Sequence, residues 1–348
     1  MAKKQKQFIS DYSAKRIGDL IESVLNQAEE SKWEKPWLTM GAIGTPCRNI
    51  DRPDPYRGVN AGLLGMAVSV CGYRTPLFLT GEKARDMGLS IKKNDKGEKE
   101  LSWPVLKWLH LIYDKDRNRI TYEDYEALTE EEQAECKHRF TLRVYFVYNI
   151  DQTTMQDDLP KTWEKLLALY PEPTAELQPE EDAIDEALDY ILSTDGAWRC
   201  PIKHEMGDRA CYSYSADFSH ESITLPMRKQ FKTLSSYYGT ALHEMTHSTK
   251  GEPNMRRDYG RKSWGDEGYA LEELVAELTA AFVGCDRGHT KTIDQKHVAY
   301  VQSWKKAIKN HDIVSTIVDD LMRSVNYEIR ILRETDEMLA NVPVRVAA

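Results

Sequence analysis

The chain has 348 residues, 41% of them hydrophobic and 30% charged, and its formal net charge is −9. No apolar run approaches the roughly 20 residues that span a membrane, and the start MAKKQKQFIS lacks the apolar segment of a signal peptide. The six cysteines are scattered without a C-x-x-C pair, which predicts reduced thiols rather than disulfides or a zinc–cysteine site. These features exclude a membrane protein and a disulfide-stabilised secreted protein. They predict a cytoplasmic protein with room for two domains.

The charge is unevenly distributed along the chain. Residues 1–150 contain 24 basic and 22 acidic side chains, whereas the remainder contains 23 and 34. A strongly basic chain is typical of nucleic-acid-binding proteins, and this chain is not strongly basic. Any contact with phosphate must therefore come from a local patch, and the balance favours the first half for it.

The first half predicts a small α+β domain over residues 1–155. Residues 11–30 repeat apolar side chains at helical spacing, and a loop rich in Pro, Gly, Asn and Asp follows. The apolar segment LLGMAVSVCGY then predicts a buried helix. LSWPVLKWLHLIYDK and RFTLRVYFVYNI are rich in β-branched and aromatic residues and predict two strands, which a highly charged connection separates.

The second half predicts a mostly helical domain with a short sheet. Residues 156–185 contain four prolines and many acidic residues, which indicates a linker carrying one short helix. Over residues 186–348 we expect a helix in IDEALDYILS, two strands in ACYSYSADFSHESITLP, and long helices thereafter. SITLP is interpreted as an edge strand against which an extended peptide would lie, with an ordinary core strand as the alternative. The fold class is therefore α+β, with two domains.

The segment YYGTALHEMTHSTK contains His243, Glu244 and His247 in the pattern His-Glu-x-x-His. Two histidines four residues apart share one helix face, so both rings can reach one ion. Glu244 is then placed to take a proton from water that a zinc ion activates. Ser235 or Ser236 is the expected N-cap of this helix. Because the pattern is short, a chance occurrence is the alternative.

A third metal ligand is expected further along the chain. The metzincin extension requires a glycine and a histidine where this sequence has Lys250 and Pro253, so that class is excluded. The helix YALEELVAELTAAFVG carries Glu273 and Glu277 on a face of small residues, which we expect to pack against the histidine helix. Glu273 is favoured as the ligand and Glu277 as the support of a ligand histidine; the reverse assignment and a surface acid pair are the alternatives. Glu272 lies about 100° around the helix and is a weaker candidate.

With both halves in view, the chain resembles the ArdC-type antirestriction proteins of plasmids and other mobile elements. The resemblance is carried in the first half by KWEKPW, RNIDRPDPYRGVNAGLL and YFVYNIDQTT. In the second half it is carried by ITLPMRKQF, YYGTALHEMTHSTK and GDEGYALEELVAELTAAFVG. It implies an N-terminal domain that binds single-stranded DNA, a C-terminal zincin-like metallopeptidase domain, and protection of incoming DNA from restriction. By position it makes His243 and His247 metal ligands and Glu244 the catalytic residue.

Contacts with single-stranded DNA require aromatic rings that stack on bases beside a cationic track. The first half offers such side chains around its Pro- and Gly-rich loop. The predicted DNA contacts are Trp33, Lys35, Trp37, Asn49, Tyr56, Arg57 and Asn60. A further aromatic and basic group is formed by Trp103, Lys107 and Trp108. For each tryptophan, a place in the core is the alternative.

Two classes of function follow from these features. The first is a zinc-dependent peptidase, with manganese or cobalt as alternative metals, which acts on an unknown protein substrate near bound DNA. The second is a non-catalytic single-stranded DNA-binding protein whose metal site is structural. A cytoplasmic zinc peptidase with no role at DNA is a further alternative. A complete His-Glu-x-x-His pattern favours the first, since a structural site would not require Glu244.

Overall fold

The computed structural model describes residues 9–30, 46–170, 184–253, 255–260, 266–289 and 300–341. Trp33, Lys35 and Trp37 lie outside the described residues. The helices within them are α1 (Asp11–Glu30), α2 (Gly58–Cys71), α3 (Gly81–Asp86), α4 (Tyr122–Glu126), α5 (Glu130–Glu135), α6 (Met155–Asp158), α7 (Pro160–Leu169), α8 (Glu186–Ser193), α9 (Leu234–Thr249), α10 (Glu267–Asp286), α11 (Val301–Ala307) and α12 (His311–Ala340). The strands are β1 (Arg48–Asn49), β2 (Leu77–Thr80), β3 (Trp103–Tyr113), β4 (Arg119–Ile120), β5 (Lys137–Asn149), β6 (Ile202–Glu205), β7 (Cys211–Tyr214) and β8 (Glu221–Pro226). The α+β class is confirmed. Within these ranges, no helix is both long and apolar enough to cross a bilayer.

A five-stranded sheet in the order β1-β2-β5-β3-β4 forms the framework of the first half. Its two long strands, β3 and β5, pair antiparallel over all 11 residues of β3. Since side chains alternate along a strand, the register assigns Lys107, Arg143 and Tyr145 to one face of this pair. The same register assigns Trp108 and Phe140 to the opposite face.

The second half contains a three-stranded sheet in the order β6-β8-β7. β8 includes the SITLP segment and pairs with a neighbour on each side, parallel with β6 and antiparallel with β7. The interpretation of SITLP as an edge strand was therefore wrong, and it is the central strand. Its Ile223 and Leu225 are buried in the core, which is what favours the central position. The edge strand that faces the His-Glu-x-x-His helix is β7.

The His-Glu-x-x-His helix, α9, begins two or three residues earlier than the sequence predicts. Its N-cap is Thr233, whose hydroxyl accepts a hydrogen bond from the Ser236 N–H at 3.1 Å. The prediction of Ser235 or Ser236 as the cap was wrong, because both belong to the first helical turn and Thr233 precedes it with extended backbone. The shift does not change the face on which the histidines lie.

One hydrophobic core continues between the two halves of the chain. It includes buried side chains of α1 and α2 together with those of α8, α9, α10 and α12. At the contact of α2 with α10, Gly62 lies against the ring of Phe282, which is fully buried. The predicted domain limits at residues 155 and 185 therefore do not divide the core, although they remain a prediction for the limits of function. Part of the predicted linker also packs: Trp163 of α7 is buried beside Leu79 and Ile150.

Candidate metal centre

The packing of α9 against α10 brings three predicted ligands together. Nε2 of His243 lies 3.1 Å from Nε2 of His247. Each of these nitrogens is 3.4 Å from a carboxylate oxygen of Glu273. One ligand atom from each of the three side chains falls within 4.8 Å of the others, and all three residues are buried. Among the described residues, this is the one group of His, Cys, Asp or Glu side chains with such geometry.

The donor set of this group fits a divalent transition metal. Two imidazole nitrogens and one carboxylate oxygen are ligands that suit zinc, and three protein ligands leave a position for water or substrate. Two unprotonated Nε2 atoms cannot form a hydrogen bond with each other, because both are acceptors. A metal ion between them would accept the lone pairs of both. The residues present therefore fit a metal centre of the open kind.

A carboxylate lies behind each histidine. Nδ1 of His243 is 3.5 Å from Glu277, as expected from the sequence. Nδ1 of His247 is 3.2 Å from Glu272, which the sequence indicates only as a weaker candidate. Such carboxylates fix the ring orientation and increase the basicity of the ligand nitrogen. Two carboxylates, rather than the one that the sequence predicts, therefore lie in position to support the histidines.

Glu272 is itself held by a buried arginine. Both nitrogens of the Arg257 fork bond to its carboxylate, at 2.9 and 2.8 Å. The same guanidinium donates to the backbone carbonyl of Thr246, on the turn between the two histidines, at 2.8 Å. Arg257 belongs to a polar loop, and nothing in the sequence pattern there distinguished it from a surface residue. It ties that loop to both site helices.

The charges in the centre shift the ionisation of its members. Burial alone would lower the pKa of His247, but Glu273 and Glu272 outweigh it and raise that pKa to about 9. Burial likewise opposes ionisation of Glu273, yet the two histidines hold its pKa far below the usual range. For Glu272 burial is outweighed by Arg257, and its pKa is also lowered strongly. Without an ion, the two carboxylates thus favour the protonated form of His247, and a bound metal would displace that proton.

A cleft of about 400 Å³ opens over the centre. Glu244, buried beside the two histidines, reaches its wall, so the predicted catalytic carboxylate borders the space available to substrate. The β7 edge and two tyrosines complete the cleft. Its lining is Arg209, Ala210, Cys211, Tyr212, Tyr214, His243, Glu244, His247, Lys250, Tyr269, Glu272, Glu273 and Tyr300.

A second cavity, of about 440 Å³, contains three of the predicted DNA contacts. Asn49, Tyr56 and Asn60 line it, together with Arg52 and the face of the β3–β5 pair that bears Lys107. Tyr145, which is 47% exposed, also lines the cavity and is not among the predicted DNA contacts. The period of two along RFTLRVYFVYNI was the signal that would have placed it beside Arg143.

Asn60 has a structural partner in this cavity. Its amide donates to the carbonyl of Leu106 at 2.7 Å and accepts from the N–H of the same residue at 2.8 Å. These two bonds imitate the pairing of a neighbouring strand along β3 and anchor the first turn of α2 to the sheet. Asn49 lies 3.5 Å from the Tyr56 hydroxyl. Arg57, half exposed at the start of α2, lies 3.6 Å from Asp286 at the end of α10.

The predicted group of Trp103, Lys107 and Trp108 is not one surface. Trp103 is buried: its indole N–H donates to Tyr73 at 3.1 Å and its ring carries the Arg16 guanidinium. Lys107 and Trp108 are neighbours on β3, so they point to opposite faces. The grouping was wrong because it followed sequence proximity and ignored the strand alternation.

Comparison with known proteins assigns a domain type to each half of the chain. Residues 186–317 match the model of a family described as zincin-like metallopeptidase. The second half is therefore a zincin-like domain, with the His-Glu-x-x-His helix inside the match. Residues 12–148 match the model of the N-terminal domain of the anti-restriction factor ArdC. The chain thus has the architecture of the ArdC-type antirestriction proteins, which confirms the resemblance carried by its motifs.

Individual relatives show the same relationship. Two DNA primases TraC of Escherichia coli are 31% and 30% identical over 302 and 296 residues, which cover 84% and 83% of this chain. The chain spans only 18% and 24% of the length of those two proteins. Among solved structures, the metal-free antirestriction protein ArdC of plasmid R388 matches with a TM-score of 0.53 and 25% identity, over 91% of this chain and 97% of that one. Its Mn(II)-bound structure matches with a TM-score of 0.55 and 22% identity, over 92% and 97%.

Proposed function

We propose that this chain is a cytoplasmic antirestriction protein of a mobile element, which binds single-stranded DNA and hydrolyses a peptide bond at a divalent metal. The observation that carries the proposal is the convergence of His243, His247 and Glu273 at the base of a cleft bordered by Glu244. The preferred metal is zinc, with manganese or cobalt as alternatives, and the Mn(II)-bound relative supports a divalent ion.

The chemistry follows from what each side chain can do. A divalent ion bound by the three ligands would polarise a peptide carbonyl and lower the pKa of water to around 7. Glu244 accepts the proton of the attacking water and returns it to the leaving amine. Glu277 and Glu272 lie 3.5 and 3.2 Å from the Nδ1 atoms of the two histidines, where they would favour the tautomer that leaves Nε2 free to bind a metal.

An open cleft favours this chemistry over a structural role for the metal. Structural zinc sites are normally closed by four protein ligands. Here the three ligands stand at the base of the 400 Å³ cleft, and Glu244, which a structural site does not need, borders the same space. These two observations support the peptidase over the non-catalytic alternative.

The DNA part of the proposal rests on the cavity between α2 and the β3–β5 pair. Tyr56 and Tyr145 offer rings for base stacking, while Arg52 and Lys107 offer charges for phosphate. Asn60 contributes by fixing α2 against β3, because its side-chain amide is already bonded to the backbone of Leu106. The R388 relative is an antirestriction protein by its own description, which supports protection of DNA as the role of the site.

Transfer of unmodified DNA into a restricting host tests the proposal. Cells carry the wild-type chain, Glu244→Gln, Tyr145→Ala, or the control Glu267→Gln, which changes a carboxylate that is 61% exposed at the start of α10. We expect loss of protection in the first two variants and full protection in the control. If Glu244→Gln protects fully while it remains folded and metal-bound, hydrolysis is not the source of protection.

A further inference from the structure

Lys250 is a buried cation in the wall of the metal cleft. It follows α9 directly, and its side chain is only 10% exposed. Its ammonium lies 4.7 and 5.5 Å from the ring centres of Tyr214 and Tyr212. These contacts fix the ammonium in one place, unlike that of a surface lysine, at the side of the cleft formed by β7.

The charge of Lys250 is only partly compensated. The nearest carboxylate oxygen, on Glu272, is 3.8 Å away, which is too far for a hydrogen bond. That carboxylate already accepts two bonds from Arg257 and contacts His247. No residue within the described ranges accepts a hydrogen bond from the ammonium, although burial makes such a partner valuable. The geometry leaves the cleft side of the ammonium as the place for an acceptor.

A second cation, Arg209, also lines the cleft. It is exposed just before β7, lines the cleft, and forms no ion pair with any carboxylate of the described residues. Apart from the residues of the metal centre, Arg209 and Lys250 are the charged side chains among the described residues that line the cleft. β7 lies at the edge of its sheet, so its outer backbone groups are available for pairing with an extended peptide.

We infer that Lys250 and Arg209 form a specificity subsite for an acidic side chain of the peptide bound in the cleft. A carboxylate at this point accepts a hydrogen bond from the fixed Lys250 ammonium and neutralises Arg209. The β7 edge favours an extended peptide over a nucleic acid as the carrier of that negative charge. The inference rests on the proposed function, because it assumes that the cleft binds peptide at a metal.

Binding of short peptide hydroxamates to the full chain loaded with Co²⁺ tests the subsite without requiring turnover. The probes are identical except for one side chain, which is Glu, Gln or Lys, and binding is followed by the visible absorption of Co²⁺. We expect the Glu probe to bind about tenfold more tightly than the Gln probe, with the Lys probe weakest. In Lys250→Met and in Arg209→Ala the Glu-to-Gln ratio falls toward one.

Arg256→Ala is the matched control. Arg256 is a nearby exposed arginine whose guanidinium lies 5.2 Å from the ring centre of Phe218, and it does not line the cleft. It should leave the ratio unchanged. Arg209→Ala, at an exposed position, keeps the test valid if Lys250→Met does not fold.

Four outcomes would overturn the inference. Equal binding of the Glu and Gln probes rejects the subsite and leaves the metal centre intact, as does a preference that survives both substitutions. If no hydroxamate changes the Co²⁺ spectrum, the proposed function fails with it. If a single-stranded oligonucleotide displaces the hydroxamates and Lys250→Met abolishes that competition, the two cations serve nucleic acid instead.

Discussion

Gly62 of α2 lies so close to Phe282 of α10 that a methyl group in its place would be 2.2 Å from the ring. The contact joins the first half of the chain to the helix that carries Glu273. We expect Gly62→Ala to lower the free energy of unfolding by about 1–3 kcal/mol, because overpacking outweighs the gain in helix propensity. Urea unfolding of the full chain measures this change.

Gly65, one turn later on α2, is the control for this prediction. A methyl group there meets nothing within 4 Å, so Gly65→Ala should stabilise the protein by up to about 1 kcal/mol. If both substitutions have the same sign and size, the contact of Gly62 with Phe282 is not what decides the stability.

The contact between Glu272 and His247 predicts that Glu272 increases the affinity of the centre for metal. Glu272→Gln weakens both the contact with the imidazole and the hold of Arg257, so we expect the affinity for Zn²⁺ to fall by about 10–100-fold. Competition with a chelating dye measures it directly. Glu267→Gln, an exposed carboxylate at the start of the same helix, should leave the affinity unchanged. An unchanged affinity in Glu272→Gln would show that the carboxylate supports the fold only.

Opposite faces of the β3–β5 pair should differ in DNA binding. Tyr145→Ala removes a ring from the cavity face, and stacking of one base contributes about 1–3 kcal/mol, so the affinity for a single-stranded oligonucleotide should fall about 5–150-fold. Phe140→Ala removes a ring of the opposite face that is 65% exposed and should have little effect. Fluorescence anisotropy at several salt concentrations gives both affinities. A larger effect of Phe140→Ala would place the DNA on the other face.

The lowered pKa of Asp185 predicts how the free energy of unfolding depends on pH. It caps α8 and accepts hydrogen bonds from Arg287 and His289, and these outweigh its burial so that its pKa lies well below the usual range. A carboxyl with a lower pKa in the folded than in the unfolded state adds stability above its unfolded pKa of about 3.9, and loses it as the pH falls further.

Asp185→Asn should therefore destabilise the protein by about 1–3 kcal/mol at pH 7, and by progressively less below pH 4. Unfolding curves collected between pH 3 and pH 7 measure both quantities. Glu186→Gln, an exposed neighbour in the first turn of the same helix, should change neither. A pH-independent difference would mean that the ionisation of Asp185 does not contribute.

The site residues that could be predicted are those whose position follows from the spacing of residues along a single helix. His243 and His247 share a face because they are four residues apart, and Glu273 is distinguished by its unusual helix face. Glu272 was ranked lower because one helix alone does not show where the far side of the His247 ring lies. Arg257 could not be predicted, because its partners are on two other elements. Its loop also lacks the repeating pattern of apolar residues that identifies a helix or a strand.

The fold shows the same division. The helices and long strands were readable from spacing, but the place of SITLP within its sheet was not, because strand order is set by pairings between distant segments. The continuous core is another such case. The fit of Gly62 to Phe282 joins positions more than two hundred residues apart. The sequence around either residue does not indicate that the two fit together.

The contact between Arg57 and Asp286 indicates how far the proposed DNA site lies from the metal centre. Asp286 ends α10, and Glu273 lies on the same helix about 20 Å away by the rise of an α-helix. A protein travelling on the same DNA strand would therefore be held beside the cleft at an effective concentration on the order of millimolar. At that concentration, even a peptidase with weak intrinsic affinity would act mainly on proteins that share its DNA.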